Sequence, residues 1–157
     1  MRLLLDTHLL LWAAGPSPRL SSQARRLIED PANEPLASAA SPWEIAIKSM
    51  LGRPNFPIDA TLFRRNLLNN GYRELAVTGE HAVALATLPP LHKDPFDRIL
   101  VAQSIVEGIM LLTADPVVAQ YPAPVRPSIV TAAIYPCSRY PGGASSFRLP
   151  FARRRRI

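Results

Sequence analysis

Five carboxylates in this sequence stand where they could act on a common ligand. Asp6 directly follows one apolar run, and Asp115 lies two residues beyond another. Glu44, Asp94 and Asp97 stand at the starts of predicted helices. All-oxygen ligands without Cys select hard cations such as Mg²⁺ or Mn²⁺. Carboxylates that hold such ions indicate phosphodiester hydrolysis, because the metal lowers the pKa of a water molecule and neutralises the charge that develops at phosphorus.

Each acid also has a structural explanation when it is taken alone. Glu44 and Asp97 each stand at the third position of a predicted capping box, and Asp115 precedes a proline in a common turn pair. Asp6 differs, because a carboxylate at the tip of a buried strand is costly unless it is paired or bound to a metal. The prediction of a shared site therefore depends on the convergence of several acids.

Short apolar runs alternate with helical patterns and would position these acids. Strands are predicted at 3–5, 36–38, 75–77 and 109–113, and helices begin near 21, 41, 62, 78 and 94. The predicted helix caps are Ser21, Ser41, Thr78 and Asp94, and the last helix is predicted to end at Gly108. This alternation predicts an α/β sandwich with a mainly parallel sheet and right-handed crossovers. Ligands of such sheets bind beyond the carboxyl ends of the strands. We therefore expect the acids to meet on one rim.

Composition limits the class of protein. The chain has 157 residues, of which 48% are apolar, enough for one domain with its own core. A single Cys excludes a disulfide framework and, with only three His, a Cys/His zinc site. No apolar run reaches the roughly 18 residues that span a bilayer, and Asp6 interrupts what a signal peptide would need. We therefore expect a cytoplasmic protein.

The formal net charge of +6 belongs to the end of the chain. Residues 1–126 hold all 12 acids and 12 of the 18 Lys and Arg, so this part is neutral overall. Residues 127–157 hold six Arg and no acid. A basic protein invites the guess of nucleic-acid binding, but here the charge lies on what we predict to be an appended, poorly ordered tail.

Four blocks of sequence resemble PIN-domain ribonucleases, in particular the VapC-type toxins of bacterial toxin–antitoxin modules. The blocks are LLLDTH at 3–8, SPWEIAIK at 41–48, HKDPFDR at 92–98 and LTADP at 112–116. The resemblance runs from residue 2 to about 125, and the blocks occur in the family's order. It implies a Rossmann-like α/β/α fold, RNA cleavage that depends on Mg²⁺ or Mn²⁺, neutralisation by a small cognate antitoxin, and a homodimer. We therefore predict a PIN-like nuclease domain at 1–126 and a basic tail at 127–157.

The resemblance also implies a set of site residues. Asp6, Glu44, Asp97 and Asp115 match the family's acidic quartet. Asp6 and Asp97 would be direct metal ligands, and Asp115 would bind the metal directly or through water. Glu44 would orient a water molecule or hold a second ion.

Residues beside the quartet are assigned lesser roles. Asp94 is predicted to cap a helix first and to serve as an auxiliary acid second, and Thr113 could hydrogen-bond a ligand or water. Thr7 is predicted to cap a helix. The basic residues near the acidic blocks are candidate phosphate contacts, although a solvated or paired surface charge is the better explanation for each of them taken alone: Lys48, Lys93 and Arg98.

Histidines and tryptophans are not needed by a site made of acids. His8, His81 and His92 lack metal-ligand spacing, so surface or packing roles are expected for them. Trp12 and Trp43 are expected in the core or in a dimer interface rather than stacked on bases.

Other functional classes remain open. A phosphorylated signalling domain would also place an Asp at a strand tip, but it needs adjacent acids where this chain has Thr7 and His8. A dehalogenase-type phosphatase needs an acid two residues after Asp6, at the position of His8. An inactive PIN-like domain that only binds an antitoxin or RNA is the remaining alternative.

Overall fold

Five short strands form one sheet in the computed structural model of the chain, which describes residues 1–52 and 58–128. The strands are β1 (Arg2–Leu5), β2 (Glu34–Ser38), β3 (Arg73–Leu75), β4 (Met110–Thr113) and β5 (Val125–Pro127). Each pairs in parallel with its neighbours, in the order β3-β2-β1-β4-β5. The strands therefore end at the same side of the sheet, which we call the carboxyl edge.

Helices cover both faces of this sheet. They are α1 (Thr7–Ala13), α2 (Ser22–Glu29), α3 (Ala40–Met50), α4 (Ala60–Asn69), α5 (Gly79–Ala84) and α6 (Pro95–Glu107). Leu3 and Leu5 of β1 pack on one face with α1, α2 and α4, whereas Leu4 packs on the other face with α6. This alternation follows from the two-residue repeat of a strand, and it confirms the predicted α/β/α sandwich. Within residues 1–52 and 58–128, no helix combines the length and apolar character that crossing a membrane requires.

The start of α3 differs from the sequence prediction. The helix was expected to begin with Ser41 as its cap, but it begins at Ala40 and its N-cap, Ala39, makes no side-chain capping bond. The Ser38 hydroxyl accepts a hydrogen bond from the Ala40 N–H (3.0 Å), and Ser41 instead accepts one from the hydroxyl of Thr7 (3.0 Å). The serine was therefore wrongly predicted as a cap because its partner lies 34 residues away.

Two strands also differ from their prediction. The third strand ends at Leu75, earlier than predicted, because pairing with β2 aligns Ser38 with Leu75. A fifth strand pairs with β4 and aligns Thr113 with Pro127. The predicted domain boundary at residue 126 therefore falls inside β5. The prediction of a poorly ordered tail concerns residues 129–157, which lie outside the described part of the chain, and it stays a prediction.

Gly108 ends α6 as predicted, and its backbone conformation explains why a glycine stands at this position. Its φ of 61° lies in the left-handed region, where a side chain costs about 1–2 kcal/mol. A Cβ built there would meet no atom within 4 Å, so the cost of Gly108→Ala comes from the backbone alone. We expect the free energy of unfolding to fall by about 1 kcal/mol in urea titrations. Gly79→Ala is the matched control, because that site is equally open without a positive φ; equal losses in both variants would contradict this explanation.

Candidate active site

Asp6 is held at the carboxyl edge by three hydrogen-bond donors. It is the N-cap of α1, where Oδ1 accepts a bond from the Leu9 N–H (2.7 Å). Oδ2 accepts bonds from the Thr113 hydroxyl (2.7 Å) and the Ala114 N–H (2.8 Å). The residue is only 2% exposed, and these donors stabilise its charged form inside the protein. The carboxylate is therefore fixed in position between β1 and the end of β4.

Thr113 connects two of the acids. Besides donating to Asp6, its hydroxyl accepts a hydrogen bond from the Asp115 N–H (3.0 Å). Asp115 Oδ1 in turn accepts bonds from the N–H groups of Val117 (2.6 Å) and Val118 (3.2 Å). The turn after β4 therefore orients Asp115, and the Thr113 hydroxyl is engaged by the acids themselves rather than by solvent.

Glu44 reaches the site from α3. It is buried, with 4% exposure, and it forms an ion pair with Lys48, one helical turn further on. This i, i+4 spacing brings the two side chains together on the same face of the helix. The sequence left open whether Lys48 contacts phosphate or is a solvated or paired charge. In the structure Lys48 is paired, with Glu44.

The two other basic candidates have different surroundings. The Arg98 guanidinium donates hydrogen bonds to the carbonyl oxygens of Leu85 (3.1 Å) and His92 (3.5 Å). It therefore stabilises the segment that leads from Leu85 to α6. Lys93 is exposed. Of the three predicted phosphate contacts, Lys93 is therefore the one that is exposed at the surface, whereas Lys48 pairs with Glu44 and Arg98 bonds to backbone carbonyl groups.

Asp97 is electrostatically the most perturbed group of the site. It lies in the first turn of α6, whose N-cap is Asp94 as predicted, accepting a hydrogen bond from the N–H two residues ahead (2.9 Å). The pKa of Asp97 is raised from 3.8 to about 7, first by burial and then by the charges of Asp94, Asp6 and Glu44, while His92 lowers it. Because carboxylates just after β1, within α3 and just before α6 all act on Asp97, the predicted convergence of acids is present in the fold.

His92 is a member of this cluster that the sequence analysis missed. Its ring lies between two acids, with Nδ1 3.5 Å from Asp97 Oδ2 and Nε2 3.4 Å from Asp115 Oδ2. Its position just before the 94–97 acids was visible, but the acid that faces Nε2 comes from the turn after β4. The sequence therefore shows that His92 stands next to acids, but it does not show the contact with Asp115.

Thr7 and Trp43 were also assigned places from the sequence. Thr7 was wrongly predicted as a helix cap, because Asp6 takes that position and Thr7 lies inside α1. Trp43, expected in the core or in a dimer interface, is 58% exposed and so lies outside the core, and its ring packs edge-on against Phe96 at 5.0 Å between centroids. Its place in a dimer interface stays a prediction.

The remaining histidines and Trp12 have packing roles. His81 is fully buried, and its Nδ1 accepts a hydrogen bond from the Thr78 N–H (3.0 Å) in a capping box. The His8 ring lies 6.1 Å from that of Trp12, which packs against the core beside β1. These placements agree with the roles expected from the sequence.

The donor set fits a divalent cation. One ligand atom from each of His92, Asp97 and Asp115 lies within 4.8 Å of the others. Burial and the neighbouring acids both disfavour an ionised Asp97 and raise its pKa, and a bound cation would favour the ionised form. Oxygen ligands dominate the cluster, which suits a hard ion.

Together, the fold and the site define an α/β protein with an acidic cluster at the carboxyl edge of a parallel sheet. The PIN domain family model matches residues 3–124, so the chain belongs to the PIN-domain family. It is 31% identical over 113 residues to ribonuclease VapC22 of Mycobacterium tuberculosis, a match that covers 71% of this chain and 85% of that relative. Among solved structures, it resembles VapBC2 from Rickettsia felis bound to a DNA fragment from the promoter, with a TM-score of 0.60, 12% identity, and coverage of 81% of this chain and 98% of that one. These matches confirm the predicted family and fold class.

Proposed function

We propose that this chain is a metal-dependent endoribonuclease of the VapC type and the toxin of a toxin–antitoxin pair. The observation that carries the proposal is the convergence of Asp6, Glu44 and Asp97 in a PIN domain, where burial, together with the neighbouring acids, raises the pKa of Asp97 to about 7. The relative named a ribonuclease supports RNA as the substrate class. A small cognate antitoxin, a homodimeric state and a cytoplasmic location complete the proposal.

Asp6, Asp97 and Asp115 are the proposed metal ligands. A carboxylate offers about four acceptor sites, and three donors already bond to Asp6, which leaves one for a cation. Bound Mg²⁺ or Mn²⁺ would supply an activated water molecule and neutralise charge on the phosphate. Glu44 orients that water or holds a second ion, and the ion pair with Lys48 keeps the Glu44 carboxylate in place.

Two residues beside the proposed ligands have supporting roles. The Thr113 hydroxyl donates a hydrogen bond to the Asp6 carboxylate and accepts one from the Asp115 N–H, so it fixes the two residues relative to each other. Asp94 begins α6 and adds negative charge near Asp97. Lys93 is the basic residue best placed to contact the RNA backbone, because it is exposed next to the acids.

Cleavage of a circular RNA by the purified protein tests this function. We expect cleavage with Mg²⁺ or Mn²⁺ and none in EDTA, because the acids alone cannot activate water. A circular substrate has no ends, so its linearisation establishes endonucleolytic cutting. Equal cleavage with and without EDTA would refute the metal-dependent mechanism.

The variant Asp6→Asn belongs in the same assay, with Asp59→Asn as its matched control. Both residues cap helices, and Asp59 accepts bonds from the N–H groups of Thr61 and Leu62 on an exposed surface. Asn is as good an N-cap as Asp, so the control makes the same chemical change away from the cluster. We expect activity to be lost in the first variant only, and full activity in both would exclude Asp6 from the site.

A further inference from the structure

We propose that His92 is a positioning residue that orients the Asp115 carboxylate for metal binding through the proton on its Nε2. This inference rests on the proposed metal-dependent function, and it assigns a task to a residue outside the acidic quartet. Groups that hydrogen-bond to metal ligands commonly set the orientation of those ligands and their affinity for the metal.

The local hydrogen bonds decide where the ring carries its proton. The Asp94 N–H donates a hydrogen bond to His92 Nδ1 (3.1 Å). A ring nitrogen that accepts a hydrogen bond carries no proton, so in the neutral ring the proton is on Nε2. Nε2 lies 3.4 Å from Asp115 Oδ2, so the two atoms need to approach by only a few tenths of an ångström, roughly, to reach normal hydrogen-bond length.

The backbone around the ring is braced on both sides. The His92 N–H donates a hydrogen bond to the hydroxyl of Tyr121 (3.0 Å), a residue that is only 4% exposed. The His92 carbonyl oxygen accepts a bond from the Arg98 guanidinium (3.5 Å). The loop before α6 is thus held against the turn that follows β4, and the ring is presented to Asp115 from a fixed position.

The bonds to Asp115 explain why this carboxylate needs the contact. Its Oδ1 is bound by the Val117 and Val118 N–H groups, which leaves Oδ2 as the oxygen that faces the cluster. Without a partner on Oδ2, the carboxylate can turn about the bonds on Oδ1. His92 places an N–H group near Oδ2. It would therefore set the orientation of the oxygen that we propose as a metal ligand.

Direct ligation by His92 is the competing role. The ligand atoms of His92, Asp97 and Asp115 lie within 4.8 Å of one another, which is short enough for a shared ion. However, a protonated Nε2 has no lone pair to offer, and the lone pair of Nδ1 already accepts the hydrogen bond from the Asp94 N–H. Ligation through Nε2 requires the other tautomer, and that tautomer loses the bond from the Asp94 N–H.

Two substitutions separate these roles. In His92→Asn, the side-chain oxygen can still accept the bond from Asp94, but the short side chain does not reach Asp115. In His92→Gln, the longer amide places an N–H near the position of Nε2. We expect the Asn variant to bind Mn²⁺ about 10–100-fold more weakly in titration calorimetry, whereas the Gln variant stays within about threefold of the parent protein. Melting temperatures in EDTA should be similar for both variants, because the loss concerns orientation rather than folding.

Each contrary result has one meaning. Parent-like Mn²⁺ affinity in the Asn variant would overturn the role of His92 while leaving the proposed function intact. Weaker binding in both variants, with a larger loss for Zn²⁺ than for Mn²⁺, would make His92 a direct ligand and overturn the positioning role. Failure of the parent protein itself to bind Mn²⁺ would refute the proposed metal site, and the positioning role with it.

Discussion

Replacing Asp97 by Asn is expected to reduce RNA cleavage about a thousandfold and to raise the melting temperature of the metal-free protein. The activity falls because the variant lacks a proposed metal ligand, and metal stabilisation of the transition state contributes several kcal/mol, at about 1.4 kcal/mol for each tenfold. The stability rises because burial and the charges of Asp94, Asp6 and Glu44 all disfavour an ionised Asp97. The opposite signs of the two effects are characteristic of a functional group held under electrostatic strain.

The measurement pairs a cleavage assay in Mn²⁺ with thermal unfolding in EDTA. Asp30→Asn is the matched control, since this acid is exposed and precedes β2 at the amino edge of the sheet; it should change neither quantity appreciably. A loss of both activity and stability in the Asp97 variant would indicate damaged folding, and retained activity would remove Asp97 from the ligand set.

Raising the pH from 5 to 8 should lower the free energy of unfolding of the metal-free protein by roughly 2–3 kcal/mol. The pKa of Asp97 is about 7 in the folded protein and near 3.8 in the unfolded chain. Between these values the unfolded chain releases its proton while the folded protein keeps it, so the folded state binds more protons. Stability is therefore fully present below the unfolded pKa and is lost as the pH rises towards 7.

Urea titrations in EDTA at four pH values between 5 and 8 measure this effect. Other groups also titrate over this range, so the difference between the parent protein and Asp97→Asn isolates the contribution of Asp97. Adding Mn²⁺ at pH 8 should restore stability to the parent protein, because the cation favours the ionised carboxylate. A parent protein that becomes more stable between pH 5 and 8, relative to the variant, would contradict the sign of the pKa shift.

Local patterns predicted much of the helical framework. Ser21, Thr78 and Asp94 cap helices as expected, and Gly108 ends α6. In these caps, the hydrogen-bond donor and acceptor lie within a few residues, so a short stretch of sequence contains the whole interaction. The same locality explains why the i, i+4 pair of Glu44 with Lys48 was among the alternatives that the sequence left open.

Interactions between distant segments escaped the same reasoning. Ser41 resembles a cap in sequence, but its hydroxyl bonds to Thr7 from another element. Trp43 is as large and apolar as a core residue, and its exposure depends on which face α3 presents to the sheet. Residues 123–125 resemble the start of a last strand, but the charge and the proline at 126–127 favour a break there. Only pairing with β4 makes 125–127 the strand β5.

Sequence patterns predicted the fold class, the family and the acids that stand at strand ends and helix starts. They also located the whole net positive charge in residues 127–157 and so separated that charge from the acidic site. The assembly of the site, in contrast, depends on tertiary contacts: Thr113 bonds to Asp6 across 107 residues, and His92 faces Asp115 from a different loop. Periodicity and capping are encoded in neighbouring residues, whereas these contacts exist only after β1, β4 and α6 have packed together.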